Sequence, residues 1–289
     1  MPRNDLHKRV GLVVATLLLG AFFFPPMTYG QSLPAVAVSV KDVSWLGHRQ
    51  GVGSVDYNVI LGALVTLVRE EFGLPVSKPT FFLYENREAF ESHLVNVVRF
   101  DPVYAREVAG WAVAVGASNM VLANEEALER LPWSERIRVL AHELVHTVQY
   151  GLAGGRRGTS DQWLREGFAD WIAYRVLESL DLEKASIRQA LLVARIKGPV
   201  RRLSCAPLSD LVTLEDFMKS RTRVGGAAIY GQCFLAVDSL IKRHGMQPVV
   251  DYFGMFKRSD DRLRNFERAF GEDLPAFEKE YLARLQDEF

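Results

Sequence analysis

Apolar and polar side chains alternate over residues 36–43, with Val36, Val38 and Val40 on one parity. That period predicts a half-buried strand. From Val55 to Phe72 the apolar residues return at helical spacing (Val59, Leu61, Leu64, Val65, Val68), and Gly73 follows where a helix C-terminus favours glycine. Thr80 to Tyr84 is a short β-rich run, and Arg87 to Val98 reads as a helix. Trp111–Val115 and Met120–Ala123 read as two strands joined through Gly116-Ala117-Ser118-Asn119, a hairpin connection. After Trp133 the pattern is helix and loop throughout. Ser134 is the predicted N-cap of an amphipathic helix over Glu135–Gln149, and Leu164, Phe168, Trp171 and Ile172 mark a second helix. Mixed strands and helices first, then helices alone, predict an α+β fold with two lobes, residues 31–133 and 134–289.

The first thirty residues follow another logic. Arg3, Lys8 and Arg9 give a basic start, an apolar run of 15 residues extends from Val10 to Phe24, and Pro25 and Pro26 end it. This is the layout of a secretory signal peptide, with Thr28 and Gly30 as the small residues before a cleavage site. The run is shorter than the ~20 residues that span a bilayer comfortably. The expectation is export to the periplasm or outside the cell, with membrane attachment only if the segment stays uncleaved. Cys205 and Cys233 would then meet an oxidising environment, where they either pair, a link worth ~3 kcal/mol, or remain separate buried thiols.

Composition narrows the function. Lys plus Arg is 35 and Asp plus Glu is 35, so the formal net charge is zero. A dedicated nucleic-acid binder needs a basic surplus, so nucleic acid is not expected as a partner. A hydrophobic share of 48% fits a globular chain, and 2 cysteines are too few for a disulfide scaffold.

The chemistry concentrates in two stretches. His142-Glu143-Leu144-Val145-His146 puts two imidazoles at i and i+4 on one helix face, where both reach one ion, with Glu143 beside them to act on a water. Trp163-Leu164-Arg165-Glu166-Gly167-Phe168-Ala169-Asp170 then places Glu166 and Asp170 one turn apart. Glu166 completes a two-histidine, one-carboxylate set for a single Zn²⁺ with a fourth position open to water. Asp170 supplies an outer carboxylate for the free N–H of a ligating histidine, with His142 as the expected partner. A glycine-rich connection (Gly151, Gly154, Gly155, Gly158) lets the two helices fold back on each other.

Those two stretches resemble the gluzincin zinc metallopeptidases, of peptidase MA type. His142-Glu143-Leu144-Val145-His146 is similar to their first motif, and Trp163-Leu164-Arg165-Glu166-Gly167-Phe168-Ala169 to the WLNEGFA-type segment that carries their third ligand. The 19 residues between His146 and Glu166 fall in the family's range. The Glu166/Asp170 pair is similar to the thermolysin-like branch, the motif wording to the aminopeptidase-like branch. The GAMEN-like strand of the aminopeptidases is absent, Gly110-Trp111-Ala112-Val113 standing roughly there, so N-terminal-residue specificity is not implied.

The resemblance implies a zincin-like fold with the zinc site between the lobes, a peptide or protein substrate and Glu143 as general base. It also implies a tyrosine or histidine donor downstream, for which Tyr230 in Gly225-Gly226-Ala227-Ala228-Ile229-Tyr230 is the candidate; the competing role for Tyr230 is core packing. His244 is expected to complement a helix C-terminus, and His48 and His93 to lie at the surface. The alternative to a peptidase is a non-catalytic envelope binding or assembly protein that keeps the fold, with or without the metal.

Overall fold

The computed structural model describes residues 43–48, 56–156, 160–197 and 205–287. The expected strand at 36–43 lies outside them except for buried Val43, which sits in a helical turn ahead of α1 (Trp45–His48). The export segment also lies outside, as does the side chain of His48. The described residues belong to one compact unit.

Helix α2 (Tyr57–Phe72) starts where the Asp56 side chain accepts the N–H groups of Asn58 and Val59, and ends at Gly73, whose φ of 64° suits glycine. Its apolar face is centred on Ile60, Leu61, Leu64 and Val68, while Val59 is 54% exposed and points away. Strand β1 (Thr80–Tyr84) is followed by α3 (Arg87–Asn96) and α4 (Pro102–Trp111). The pattern did not mark α4. Its signals are Pro102 in the first turn and the Asp101 side chain, which accepts from Val103 and Tyr104. Trp111 therefore ends a helix, and the strand expected from Trp111 begins only at Ala114.

Strands β2 (Ala114–Ala117) and β3 (Met120–Asn124) form the expected hairpin, turned through Ser118 and Asn119, the latter at φ 55°. The sheet has the order β1-β3-β2, with β1 parallel to β3 and β2 antiparallel to it, so β2 is an edge. A short α5 (Glu125–Glu129) leads to α6 (Trp133–Leu152). The N-cap of α6 is Pro132, and Ser134 lies inside the first turn without a capping bond.

From α6 onward the described chain is helical: α7 (Gln162–Ser179), α8 (Ala185–Lys197), a 3-10 turn at Leu208–Leu211, α9 (Leu214–Val224), α10 (Gly226–His244), α11 (Gln247–Met255), α12 (Arg262–Phe270) and α13 (Leu274–Asp287). The result is α+β and mostly helical. Helix α7 is buried on almost every side, Trp163, Leu164, Phe168, Ala169, Ile172 and Val176 among its core residues. It lies between α6 and α10. Gly167 makes this possible, because a Cβ there would stand 2.2 Å from the Cys233 carbonyl oxygen of α10.

One histidine departs from expectation. His93 is half-buried, with its ring 5.1 Å from Phe82 and 4.8 Å from Tyr84, and burial lowers its pKa. Cys205 and Cys233 are free thiols, half-buried and buried. His244 closes α10 and binds Glu272 at 2.7 Å. Among the described residues no helix is long and apolar enough to cross a membrane.

Candidate metal centre

Helical spacing on α6 places His142 and His146 one turn apart, and α7 brings Glu166 against both. The two Nε2 atoms are 3.1 Å apart. Glu166 lies 3.2 Å from Nε2 of His142 through one carboxylate oxygen and 3.6 Å from Nε2 of His146 through the other. All three side chains are buried. Tetrahedral ligands at about 2.0–2.1 Å from one zinc sit roughly 3.3 Å from each other. The three separations scatter around that value.

The hydrogen bonds behind the ligands fix which atoms face inward. His142 Nδ1 lies 2.9 Å from Asp170 Oδ1, an acceptor only, so Nδ1 carries the hydrogen. His146 Nδ1 lies 2.9 Å from Gln149 Oε1, while the Gln149 amide nitrogen donates to the Arg165 carbonyl at 2.9 Å. The Gln149 oxygen must therefore accept, and His146 Nδ1 must donate. Both Nε2 atoms are left as bare lone pairs facing each other and a carboxylate. Such a convergence could hold a metal ion.

Burial would lower the His142 pKa, but Asp170, Glu166 and Glu143 overcome it and raise it to about 10. Burial would likewise raise Glu166, but the two imidazoles hold it well below the usual carboxylate range. The donor set, two imidazoles and one carboxylate with oriented outer partners, fits Zn²⁺.

Outer contacts extend the frame. Glu166 accepts from the Gln162 amide at 2.6 Å, and Asp170 accepts a second bond from Arg138 at 3.3 Å. Glu143 is half-buried beside His142. One of its oxygens accepts the Gly116 N–H at 2.5 Å, and burial pushes its pKa up. A Cβ on Gly116 would stand 2.3 Å from the Glu143 carbonyl oxygen and 2.9 Å from His146 Cβ, so glycine alone lets β2 rest on the motif.

A cleft of about 330 Å³ opens beside His142 and Glu143, walled by Ala114 of β2, Tyr174 of α7, Leu192 of α8 and Tyr230 of α10. Tyr230 has its ring 6.4 Å from that of His142 and packs edge-on against Phe217 at 5.3 Å. Burial and the carboxylates of Glu166, Asp170 and Glu143 raise its pKa far above 10, so its hydroxyl stays a donor.

The structure thus gathers His142, Glu143, His146, Glu166, Asp170 and Tyr230 around one point. Sequence reasoning missed Gln149, Gln162, Arg138 and Gly116. Gln149 is three residues after His146 and Gln162 four before Glu166, the spacings at which helical side chains meet. Arg138 is likewise four before His142 on α6, whereas Gly116 reaches the site by tertiary packing.

No protein-family model matches the chain, and neither does any curated protein or solved structure.

Proposed function

We propose that the protein is an exported zinc metallopeptidase, with His142, His146 and Glu166 holding one Zn²⁺ and Glu143 as general base. The observation that carries this reading is the pair of bare Nε2 atoms and the Glu166 carboxylate, all within 4.8 Å, with Glu143 beside them at the floor of an open cleft. When bound, the ion supplies Lewis-acid polarisation of a carbonyl and lowers the pKa of water.

The chain's own residues supply the remaining roles. Glu143, raised in pKa, takes the proton of the attacking water and returns it to the leaving amine. The Tyr230 hydroxyl donates to the oxyanion that develops on the scissile carbonyl. Asp170 and Gln149 hold the imidazoles in one tautomer.

Strand β2 offers the substrate a place. The alternation of an antiparallel ladder turns the backbone polar groups of Ala114 and Gly116 away from β3. The Gly116 N–H is taken by Glu143, while Ala114 lines the cleft and can pair with an extended peptide. The basic start and the apolar run from Val10 to Phe24 support the exported setting.

The test compares zinc content and hydrolysis of a mixed-peptide library between the wild type and Glu143→Gln. The amide is nearly isosteric but takes no proton, so turnover should fall ~10²–10⁴-fold with zinc retained. Equal turnover would remove Glu143 from the chemistry. Stoichiometric zinc with no hydrolysis by the wild type would favour a non-catalytic binding or assembly role.

A further inference from the structure

The arginines around the cleft are not equivalent. Arg138 is bound to Glu135 and Asp170, and Arg188 to Glu135 and Glu183. Arg195 shares a face of α8 with Arg188 and Leu192 and lines the same cleft. Among the described residues it has neither an ion pair nor a hydrogen bond.

Arg221 of α9 lies over the ring of Trp111, 4.1 Å from its centroid, and Trp111 also lines the cleft. The Arg221 Nε is shut off from solvent without a hydrogen-bond partner. Buried donors left unpaired are rare in folded chains and call for a ligand or a water.

Both side chains approach the same turn. A Cβ on Gly226 would stand 3.1 Å from Arg221 Nε. Arg195 shares a shallower adjoining cleft with Gly225, Gly226 and Ala227, and Ala227 also lines the metal cleft one turn before Tyr230. Among the described residues, Arg195 on the cleft and Arg221 behind Trp111 and Gly226 are thus two guanidinium groups without an ion pair on the same side of the site. Elsewhere around it the positive charges are already paired.

We infer that the cleft selects peptides bearing a carboxylate, held by Arg195 and Arg221 at the Gly225–Ala227 wall. The guanidinium fork matches a carboxylate in a bidentate arrangement, and a neutral side chain would leave both arginines unpaired. The carboxylate belongs either to an aspartate or glutamate side chain or to the peptide's own C-terminus. This inference rests on the peptidase reading.

The test uses the zinc-loaded full chain and short fluorescent peptides carrying Glu or Gln at each interior position in turn, each with a free or an amidated C-terminus. Binding to Glu143→Gln is read by anisotropy, and cleavage by the wild type as kcat/KM. A carboxylate-bearing peptide should bind about tenfold tighter than its neutral match, the scale of one charge-assisted contact on a partly exposed arginine. Arg195→Gln and Arg221→Gln should each shrink that ratio, and the double variant should abolish it without changing affinity for the neutral amidated peptide. Arg195 is exposed, so its variant reports even if Arg221→Gln folds poorly. The free against amidated arms separate a C-terminal carboxylate from a side-chain one.

Equal affinity for acidic and neutral peptides, or a preference that survives the double variant, overturns the inference, as does failure of every peptide to bind. Preferential binding without cleavage would overturn the peptidase reading alone. Cleavage without preference would overturn only the carboxylate selection.

Discussion

Gln149 gives His146 what Asp170 gives His142, an acceptor for the imidazole N–H, but without a negative charge. The difference matters because a carboxylate raises the basicity of its histidine as well as orienting it, whereas an amide only orients. Asp170→Asn should weaken zinc binding by ~10–100-fold, and Gln149→Leu should weaken it as well by leaving a buried N–H unpaired. Chelator competition measures both dissociation constants, and unchanged values would deny the two side chains a part in the centre. The cluster of His142, His146 and Glu166 was legible in the sequence because the spacing of such side chains is itself what a metal site requires. Gln149 was hidden because a glutamine three residues after a histidine is common on any helix. Only the opposing Arg165 carbonyl, which fixes the amide's orientation, gives it a role. Val59 was misplaced for a related reason, since periodicity reports which residues are apolar and not which face meets a neighbour, and His93 because no partner signature marks its ring contacts with Phe82 and Tyr84.

Among the elements, α6 and α7 were readable to within a few residues, since each carries a long, strongly patterned segment. Helix α4 was not, because the expectation of a strand at Trp111 obscured a start signal at Asp101 and Pro102. The N-cap of α6 was assigned to Ser134 on residue type, whereas the preceding proline's fixed backbone starts the helix earlier. The packing of α7 against α10 hinges on Gly167, and there a single methyl group decides the geometry. Gly167→Ala would push a Cβ into the Cys233 backbone carbonyl, which no rotamer change relieves. Overpacking of this kind costs about 1–3 kcal/mol. Denaturant unfolding should show that loss, and zinc retention should fall with it because Glu166 is the neighbouring residue. Wild-type stability in this variant would mean that α7 and α10 sit further apart.

At the scale of the whole molecule, the site ties a small three-stranded sheet to a large helical body through β2 and α6. Metal that binds the folded chain and not the unfolded one stabilises it by about 2.7 kcal/mol at a free concentration one hundred times the dissociation constant. How that stabilisation divides between folding and unfolding rates depends on where the ligands lie along the chain. His142, His146 and Glu166 all come from consecutive helices, whereas the β1–β3 ladder pairs Thr80 with Met120 across both α3 and α4. Loop closure favours the shorter connection, so the helical hairpin should form ahead of the β1–β3 ladder. In denaturant-jump experiments zinc should then speed refolding more than it slows unfolding. A zinc effect confined to the unfolding limb would place closure of the hairpin after the rate-limiting step. A chain built in this order could capture a metal at these three side chains while most of its long-range contacts are still unmade, and the ion would then act as a folding nucleus.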